Sequence, residues 1–268
     1  ITQYIEEYSA SKGYNILLCN TYRKHQTEEF YLNLLLQKGV DGIIYGFTPQ
    51  LSDYLLKINE RIPVVIIGEK DDSMNINTIA LNSFKAGELV AQHLVELEHR
   101  NIAFISSPLN GLSLSRKKRL QGIISKLKEY KLSKSLIVKS DSFEHENSNN
   151  IYEIEIGYNL TLKLLDEAKV TAIIGVNDMV AFGALNAIIH RGLKVPKDIS
   201  VCGFDNIYLS KMLQPKITTI DHYANHRCKM AVDILTENTN SDDTSIFKVE
   251  YEPQLIIRES TALAQILK

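Results

Sequence analysis

The sequence predicts an α/β protein built on mostly parallel sheets, on three observations. Short β-branched runs alternate with longer amphipathic stretches over most of the 268 residues. The strand-like runs are continuously apolar rather than alternating, which is the pattern of strands covered on both faces, as in a parallel sheet. The regular β–α order then favours right-handed βαβ units in a doubly wound architecture, and roughly eight such units are too many for one tidy sheet and suit two.

The elements follow in order. Ile1–Lys12 (ITQYIEEYSASK) is amphipathic and reads like the second half of a helix. Strands are predicted at Tyr14–Cys19 (YNILLC), Val40–Gly46, Pro63–Gly68 (PVVIIG) and Ile76–Leu81, then at Ile102–Ser106 (IAFIS) and Leu136–Lys139. Further strands are Thr171–Val176 (TAIIGV), Ile199–Phe204 (ISVCGF) and Ile217–Ile220. Helices are predicted at Gln26–Lys38, Leu51–Glu60, Ser83–Glu98, Ser115–Tyr130, Tyr152–Ala168, Met179–Arg191 and Ala224–Glu237. Val90, Leu94 and Leu97 fall at i, i+4 and i+7, and Phe182, Leu185 and Ile189 make a similar stripe, so each helix has one face for a sheet. Leu97–Asn101 (LEHRN) is a charged break before a fresh strand, Pro215–Asp221 is a second candidate crossing, and Thr236–Thr244 (TENTNSDDT) is the most loop-like stretch, followed by an extended run from Ile246 to Ile257.

With 44% hydrophobic and 23% charged residues the chain is neither disordered nor low in complexity. Thirty basic residues against thirty-two acidic ones give a net charge of -2, without the basic excess of a nucleic-acid surface. Cys19, Cys202 and Cys228 do not make a disulfide framework; Cys19 and Cys202 lie in apolar runs and read as small buried thiols of a reducing cytoplasm. No apolar run approaches the ~18 residues of a membrane span, and Ile1–Lys12 has the wrong character for an export signal.

Catalytic signatures are missing. No G-x-G-x-x-G follows a strand, and there is no phosphate-binding G-x-x-x-x-G-K-[ST], G-x-S-x-G elbow or H-E-x-x-H pair. His222 and His226 are four apart and could share a helix face, but nothing nearby completes a metal shell. Arg116–Arg119 (RKKR) could be a nucleic-acid patch; a helix start with solvated Lys117 and Lys118 is the reading favoured. What remains is polar residues at strand ends, where open α/β sheets bind ligands. Asn177 and Asp178 follow TAIIGV, with Asp178 placed to cap the next helix and Asn177 to point its amide across the strand ends. Asp205 ends ISVCGF in the same way, or caps the short segment after it. Carboxylate, amide and guanidinium converging on one crevice suit a polyhydroxylated ligand.

The order of GYNILLCNT (13–21), LLLQKGVDGIIY (34–45), AGELVAQHLVELEHRNIAFIS (86–106), RLQG (119–122), VNDMVAFGALNAIIHRGLKVPKDISVCGFDN (176–206), PKITTID (215–221) and EPQLIIREST (252–261) resembles the effector-binding core of the LacI/GalR family of bacterial transcription factors. The resemblance implies a periplasmic-binding-protein-like fold: two Rossmann-like lobes with parallel sheets, joined by three crossover strands near residues 100, 221 and 245, with a small molecule in the cleft. The N-terminal lobe would hold 1–99 and 221–244, and the C-terminal lobe 100–220 and 245–268; the family's N-terminal helix-turn-helix DNA-binding domain is absent from this chain. The family's effector-contacting arginine, asparagine and aspartate map to Arg119, Asn177 and Asp205. His222 stands where relatives often carry Gln, Phe143 is the nearest candidate for an aromatic that stacks on the ligand, and Lys85 holds a cleft-facing polar position unless it is a solvated surface lysine. Glu98 and Cys228 replace common glycines, the first of which puts local backbone geometry in question.

The resemblance implies the sugar-sensing domain of a cytoplasmic transcriptional regulator, not an enzyme, without cofactor or metal. It would act as a homodimer that reaches operator DNA only through the absent domain and does not touch a membrane. The alternative is a stand-alone sugar-binding protein serving a transporter.

Overall fold

The computed structural model describes residues 1–22, 24–69, 73–109, 114–141, 153–240 and 245–265. In chain order its first elements are α1 (Thr2–Ser11), α2 (His25–Lys38), β1 (Ile43–Tyr45), α3 (Ser52–Asn59), β2 (Val64–Gly68), β3 (Asn77–Leu81) and α4 (Ser83–Glu96). Then come β4 (Ile102–Ser106), α5 (Leu114–Glu129), a 3-10 turn at Ser133–Ser135, β5 (Ile137–Ser140), α6 (Glu153–Glu167), β6 (Ala172–Gly175) and α7 (Asp178–His190). The last are β7 (Ser200–Phe204), α8 (Tyr208–Met212), β8 (Thr218–Asp221), α9 (Ala224–Asn240), β9 (Lys248–Tyr251) and β10 (Gln254–Ile256). The chain divides into two compact units, Ile1–Asn82 with Tyr223–Tyr251 and Ser83–His222 with Glu252–Lys268.

In the first unit the described strands form one parallel sheet in the order β1-β2-β3-β9, with Ile43 opposite Val64, Val65 opposite Asn77 and Thr78 opposite Lys248. Both faces of β2 are buried, as its unbroken apolar run requires. Val64 and Ile66 pack with Leu32, Leu55, Ile58 and Ile76, while Val65 and Ile67 pack with Ile79, Cys228 and Ala231. The predicted strand at Tyr14–Cys19 departs from this: the segment is irregular and pairs with no strand among the described residues. It and β1 line a cavity of about 870 Å³ together with α1 and α2. Leu17 and Leu18 are 59% and 73% exposed as a result.

The second unit carries a six-stranded sheet among the described residues, ordered β10-β8-β7-β6-β4-β5, parallel except for β10, which runs antiparallel to β8. The chain leaves β4 for β5 on one side and returns to β6 on the other, which makes the gap between the carboxyl ends of β4 and β6 a topological switch point. Phe104, Phe204, Leu94, Ile123, Leu127 and Leu164 are fully buried in its core. Helices α4 and α5 cross where Gly87 and Gly122 face each other: a Cβ on Gly122 would sit 1.9 Å from the Phe84 carbonyl oxygen, and one on Gly87 would sit 2.1 Å from that of Arg119. Gly157 and Gly183 let α6 and α7 meet in the same way, with added Cβ atoms 2.1 and 2.0 Å from carbonyl oxygens of the facing helix. Backbone-to-backbone approach of this kind leaves little freedom for the helix ends that carry functional groups.

Three boundary expectations change. Asp221 and His222, expected in the first lobe, belong to the second unit, because Asp221 ends β8 of its sheet. Residues 83–99, expected in the first lobe, belong to the second unit because α4 packs on α5 through that glycine crossing. Residues 245–251, expected in the second lobe, belong to the first, because β9 pairs with β3. The backbone question at Glu98 has an answer: it adopts the left-handed conformation at φ 64°, and the N–H groups of Glu98 and His99 bond the carbonyls of Val95 and Leu94 as α4 ends. Among the described residues no helix is long and apolar enough to cross a membrane.

Candidate functional site

At the carboxyl edge of the second unit's sheet, β6 runs out at Val176, β7 at Asp205 and β8 at His222, and α5 lays Arg119 across all three. The Arg119 side chain is 9% exposed. Its Nη1 donates to the Val176 carbonyl at 2.5 Å, and its Nη2 donates to Asp205 Oδ1 at 3.0 Å. The guanidinium stands 4.8 Å from the centre of the Phe204 ring, and that ring stacks on His222 at 6.5 Å and 14°. An arginine suits this place because its planar fork can hold a carbonyl and a carboxylate at once while resting on an aromatic face.

His222 Nε2 lies 2.9 Å from both Asp205 Oδ1 and Arg119 Nη2. One nitrogen cannot serve both: carrying a proton it donates to Asp205, and without one it accepts from Arg119. Asp205 is aimed by the backbone, with φ at 104° and the following Asn206 at 45°, both in the left-handed half of the map. Burial works to raise the Asp205 carboxyl, but the Arg119 charge and the His222 contact outweigh it and hold the group well below the usual carboxylate range.

Asn177, not Asp178, caps α7. Its Oδ1 accepts from the Val180 N–H at 2.9 Å and its Nδ2 donates to Glu153 Oε2 at 2.8 Å. Asp178 instead turns inward, because a buried turn needs its carboxylate: it accepts from the Thr219 hydroxyl at 2.5 Å and the Ile207 N–H at 2.9 Å. Burial first, and the neighbouring Asp205 charge second, push Asp178 up to about 7. The Ile207 N–H is thus taken by Asp178, so Asp205 is not the cap of the short helix α8.

A second polar group adjoins the first. Glu153 opens α6, and its Oε1 accepts from the Ser107 hydroxyl at 3.3 Å and lies 3.6 Å from Arg116 Nη2. Arg116 also donates to the Pro108 carbonyl at 3.1 Å. Arg116 and Arg119 are one turn apart on α5, and both turn toward the strand ends, while Lys117 between them is exposed.

The structure therefore brings Arg119, Asp205 and His222 into direct contact and joins Asn177 to them through Val176. Lys85 lies on α4 and pairs with Glu88 at 3.3 Å, its side chain 44% exposed. Phe143 lies outside the described residues. His222 precedes α9 while His226 lies within it, so the four-residue spacing does not place the two on one helix face. The sequence reading takes Arg116 only as part of the RKKR run and does not single out Glu153. The i, i+3 spacing of Arg116 and Arg119 on one helix was the available signal for the first; nothing in the polar stretch before α6 marked the second.

This set accepts from hydroxyls through two carboxylates, donates through two guanidiniums and does both through an amide of fixed orientation.

Residues 91–261 match the periplasmic binding protein-like domain family. The chain is 33% identical over 260 residues to the HTH-type transcriptional repressor PurR of Mannheimia succiniciproducens, covering 96% of this chain and 75% of that protein. It is 31% identical over 262 residues to the PurR repressor of Haemophilus influenzae, at the same coverage. Among solved structures, a periplasmic binding protein/LacI transcriptional regulator from Alkaliphilus metalliredigens, complexed with D-xylulofuranose, matches at a TM-score of 0.82 and 26% identity over 97% of this chain and 92% of that one. A LacI family transcriptional regulator from Enterococcus faecium with bound ribose matches at 0.85 and 24%, over 98% and 93%, a likeness of fold.

Proposed function

The chain belongs to the LacI/GalR family, as a periplasmic-binding-protein-like effector domain, and from that premise we propose that it senses a small sugar for a transcriptional repressor. One observation carries the reading: Arg119, Asp205 and His222 converge within 3.0 Å of one another at the carboxyl ends of β7 and β8, beside the β4–β6 switch point. Asn177, Phe143 and Lys85 complete the candidate ligand set. The D-xylulofuranose held by the Alkaliphilus relative supports a sugar as the ligand class. In this reading the chain is a cytoplasmic homodimer rather than an enzyme, and operator DNA is reached through a separate DNA-binding domain. The solute-binding role in transport is disfavoured because the curated relatives are repressors by name.

Calorimetric titration with a panel of monosaccharides tests the proposal. Hydrogen bonds to charged groups contribute about 1.5–3 kcal/mol, so Arg119→Ala and Asp205→Asn should each weaken binding roughly ten- to over a hundred-fold. Affinity within two-fold of the parent chain for both variants, on protein shown to be folded, would remove these residues from the site.

A further inference from the structure

The Arg116–Glu153 pair is unused by the contacts that carry the sensor reading, yet it shares their edge of the sheet. Three features set it apart from an ordinary surface ion pair. Glu153 has more than one partner: Ser107, Arg116 and the Asn177 amide all converge on its two oxygens. Its place in the first turn of α6 suits a carboxylate, and Gly157, one turn on, clamps that helix to α7, whose cap is Asn177. The amide is held from both ends, its oxygen by the Val180 N–H and its nitrogen by Glu153, so its donor and acceptor sides cannot exchange.

The charge pattern adds a second consequence. Each guanidinium at the strand ends faces its own carboxylate, Arg119 with Asp205 and Arg116 with Glu153, so the edge carries fixed charges of both signs and no unopposed cation in this pairing. A neutral polyol finds acceptors and donors there at once. A phosphate must compete with a resident carboxylate for each guanidinium and meets its repulsion. Two buried groups of this region, the Ser106 hydroxyl and Arg119 Nε, have no hydrogen-bond partner among the described residues.

We infer that Glu153 is a specificity-determining and positioning residue of the effector site: it fixes the Asn177 amide for hydroxyl recognition and, by occupying Arg116, selects free sugars against sugar phosphates. The inference rests on the sugar-sensor reading and narrows its ligand class.

The test uses this chain, a panel of neutral pentoses and hexoses, and the monophosphates of the same sugars, read by calorimetric titration beside thermal melts. The parent chain should take a free sugar and leave its monophosphate at least about a hundred-fold weaker. Glu153→Ala should lose about ten-fold for the free sugar and gain for the monophosphate, because the carboxylate that repels the phosphate at Arg116 is gone. Glu153→Gln keeps a carbonyl that can accept from Asn177, so it should hold the free sugar within about three-fold and still gain for the monophosphate. Opposed movement of the two ligand types supports the assignment; a merely structural role shifts the melt and weakens both alike. If Glu153→Ala does not fold, Glu153→Gln alone decides. Variants indistinguishable from the parent, equal losses for both ligand types, or a parent chain that prefers the monophosphate would each overturn the role of Glu153. Of these, the first two leave the sensor reading standing provided Arg119→Ala weakens sugar binding at least about ten-fold. A parent chain that takes no member of the panel overturns both readings.

Discussion

The two units are written in the same β–α alternation and end differently. In the second, every predicted strand acquired a neighbour, and the carboxyl ends of β4, β6, β7 and β8 became a polar edge carried by helices locked at glycine crossings. In the first, Tyr14–Cys19 is as apolar as β4 and still forms no ladder, facing a cavity of about 870 Å³. The contrast teaches that an apolar run becomes a strand only where another backbone meets its N–H and C=O groups; propensity alone does not close a sheet.

Four measurements would break or sharpen that contrast. The largest effect belongs to the glycine crossing. Gly122→Ala drives a Cβ into a backbone carbonyl that cannot turn aside, and should cost about 3 kcal/mol or more in a denaturant melt, whereas Gly46→Ala in the first unit, with nothing within 4 Å, should stay within about 0.5 kcal/mol. Equal costs at the two positions would deny the second unit its special rigidity. Next, Arg119→Ala leaves Asp205 and the Val176 carbonyl without their donor. Breaking a fully buried pair costs about 3–5 kcal/mol; with the Asp205 side chain 36% exposed, about 2 kcal/mol should be lost, in addition to affinity.

The third measurement is a pH series. Asp178 titrates at about 7 in the folded chain, above its ordinary value of 3.8, so the folded state binds its proton more tightly than the unfolded state does. The stability this confers is present below about pH 4 and is lost as pH rises through about 7, a decline on the order of 4 kcal/mol. Asp178→Asn should flatten that slope, and where the two units melt separately only the second unit's transition should move. A melt whose pH dependence is the same in Asp178→Asn would assign the slope to other groups. The smallest effect is a gain: Glu98→Gly relieves a left-handed non-glycine residue at φ 64° and should stabilise the second unit by about 1 kcal/mol, read as a raised melting midpoint.

Much of the fold was legible because parallel strands buried on both faces cannot hide their apolar runs. PVVIIG, IAFIS, TAIIGV and ISVCGF each became a strand within a residue or two of the predicted bounds. What failed was pairing. Nothing local in YNILLC says whether a neighbour lies alongside, and nothing in KVEY says that it joins β3 across some 170 residues of chain, so the unit boundaries came out displaced. The site divides in the same way. Arg119, Asn177 and Asp205 stand beside strand ends and could be read from position and motif. The exchange of roles between Asn177 and Asp178 could not, because the two are adjacent and equally able to cap; the choice is made by Thr219 and Ile207, remote in sequence, which claim Asp178. Glu153 reaches Asn177 only by virtue of where α6 docks, which rests on Gly157 and Gly183 rather than on its own neighbours in sequence.

The chain visits the first unit, leaves it at Asn82, and returns at Tyr223 before its last segment rejoins the second. Both sheets accordingly take an edge strand from the tail of the sequence, β9 beside β3 and β10 beside β8. During synthesis this sets a timetable. Five strands of the second unit, β4 to β8, emerge as one continuous stretch and can assemble early, with β10 added at their edge afterwards. The first unit's opening strands must wait beside an uncovered β3 until Lys248–Tyr251 leaves the ribosome. An uncovered parallel edge is a surface on which nascent chains pair with one another. Slow translation of the stretch between β8 and β9 prolongs that exposure, so the yield of soluble protein is tied to how fast residues 222–251 are translated.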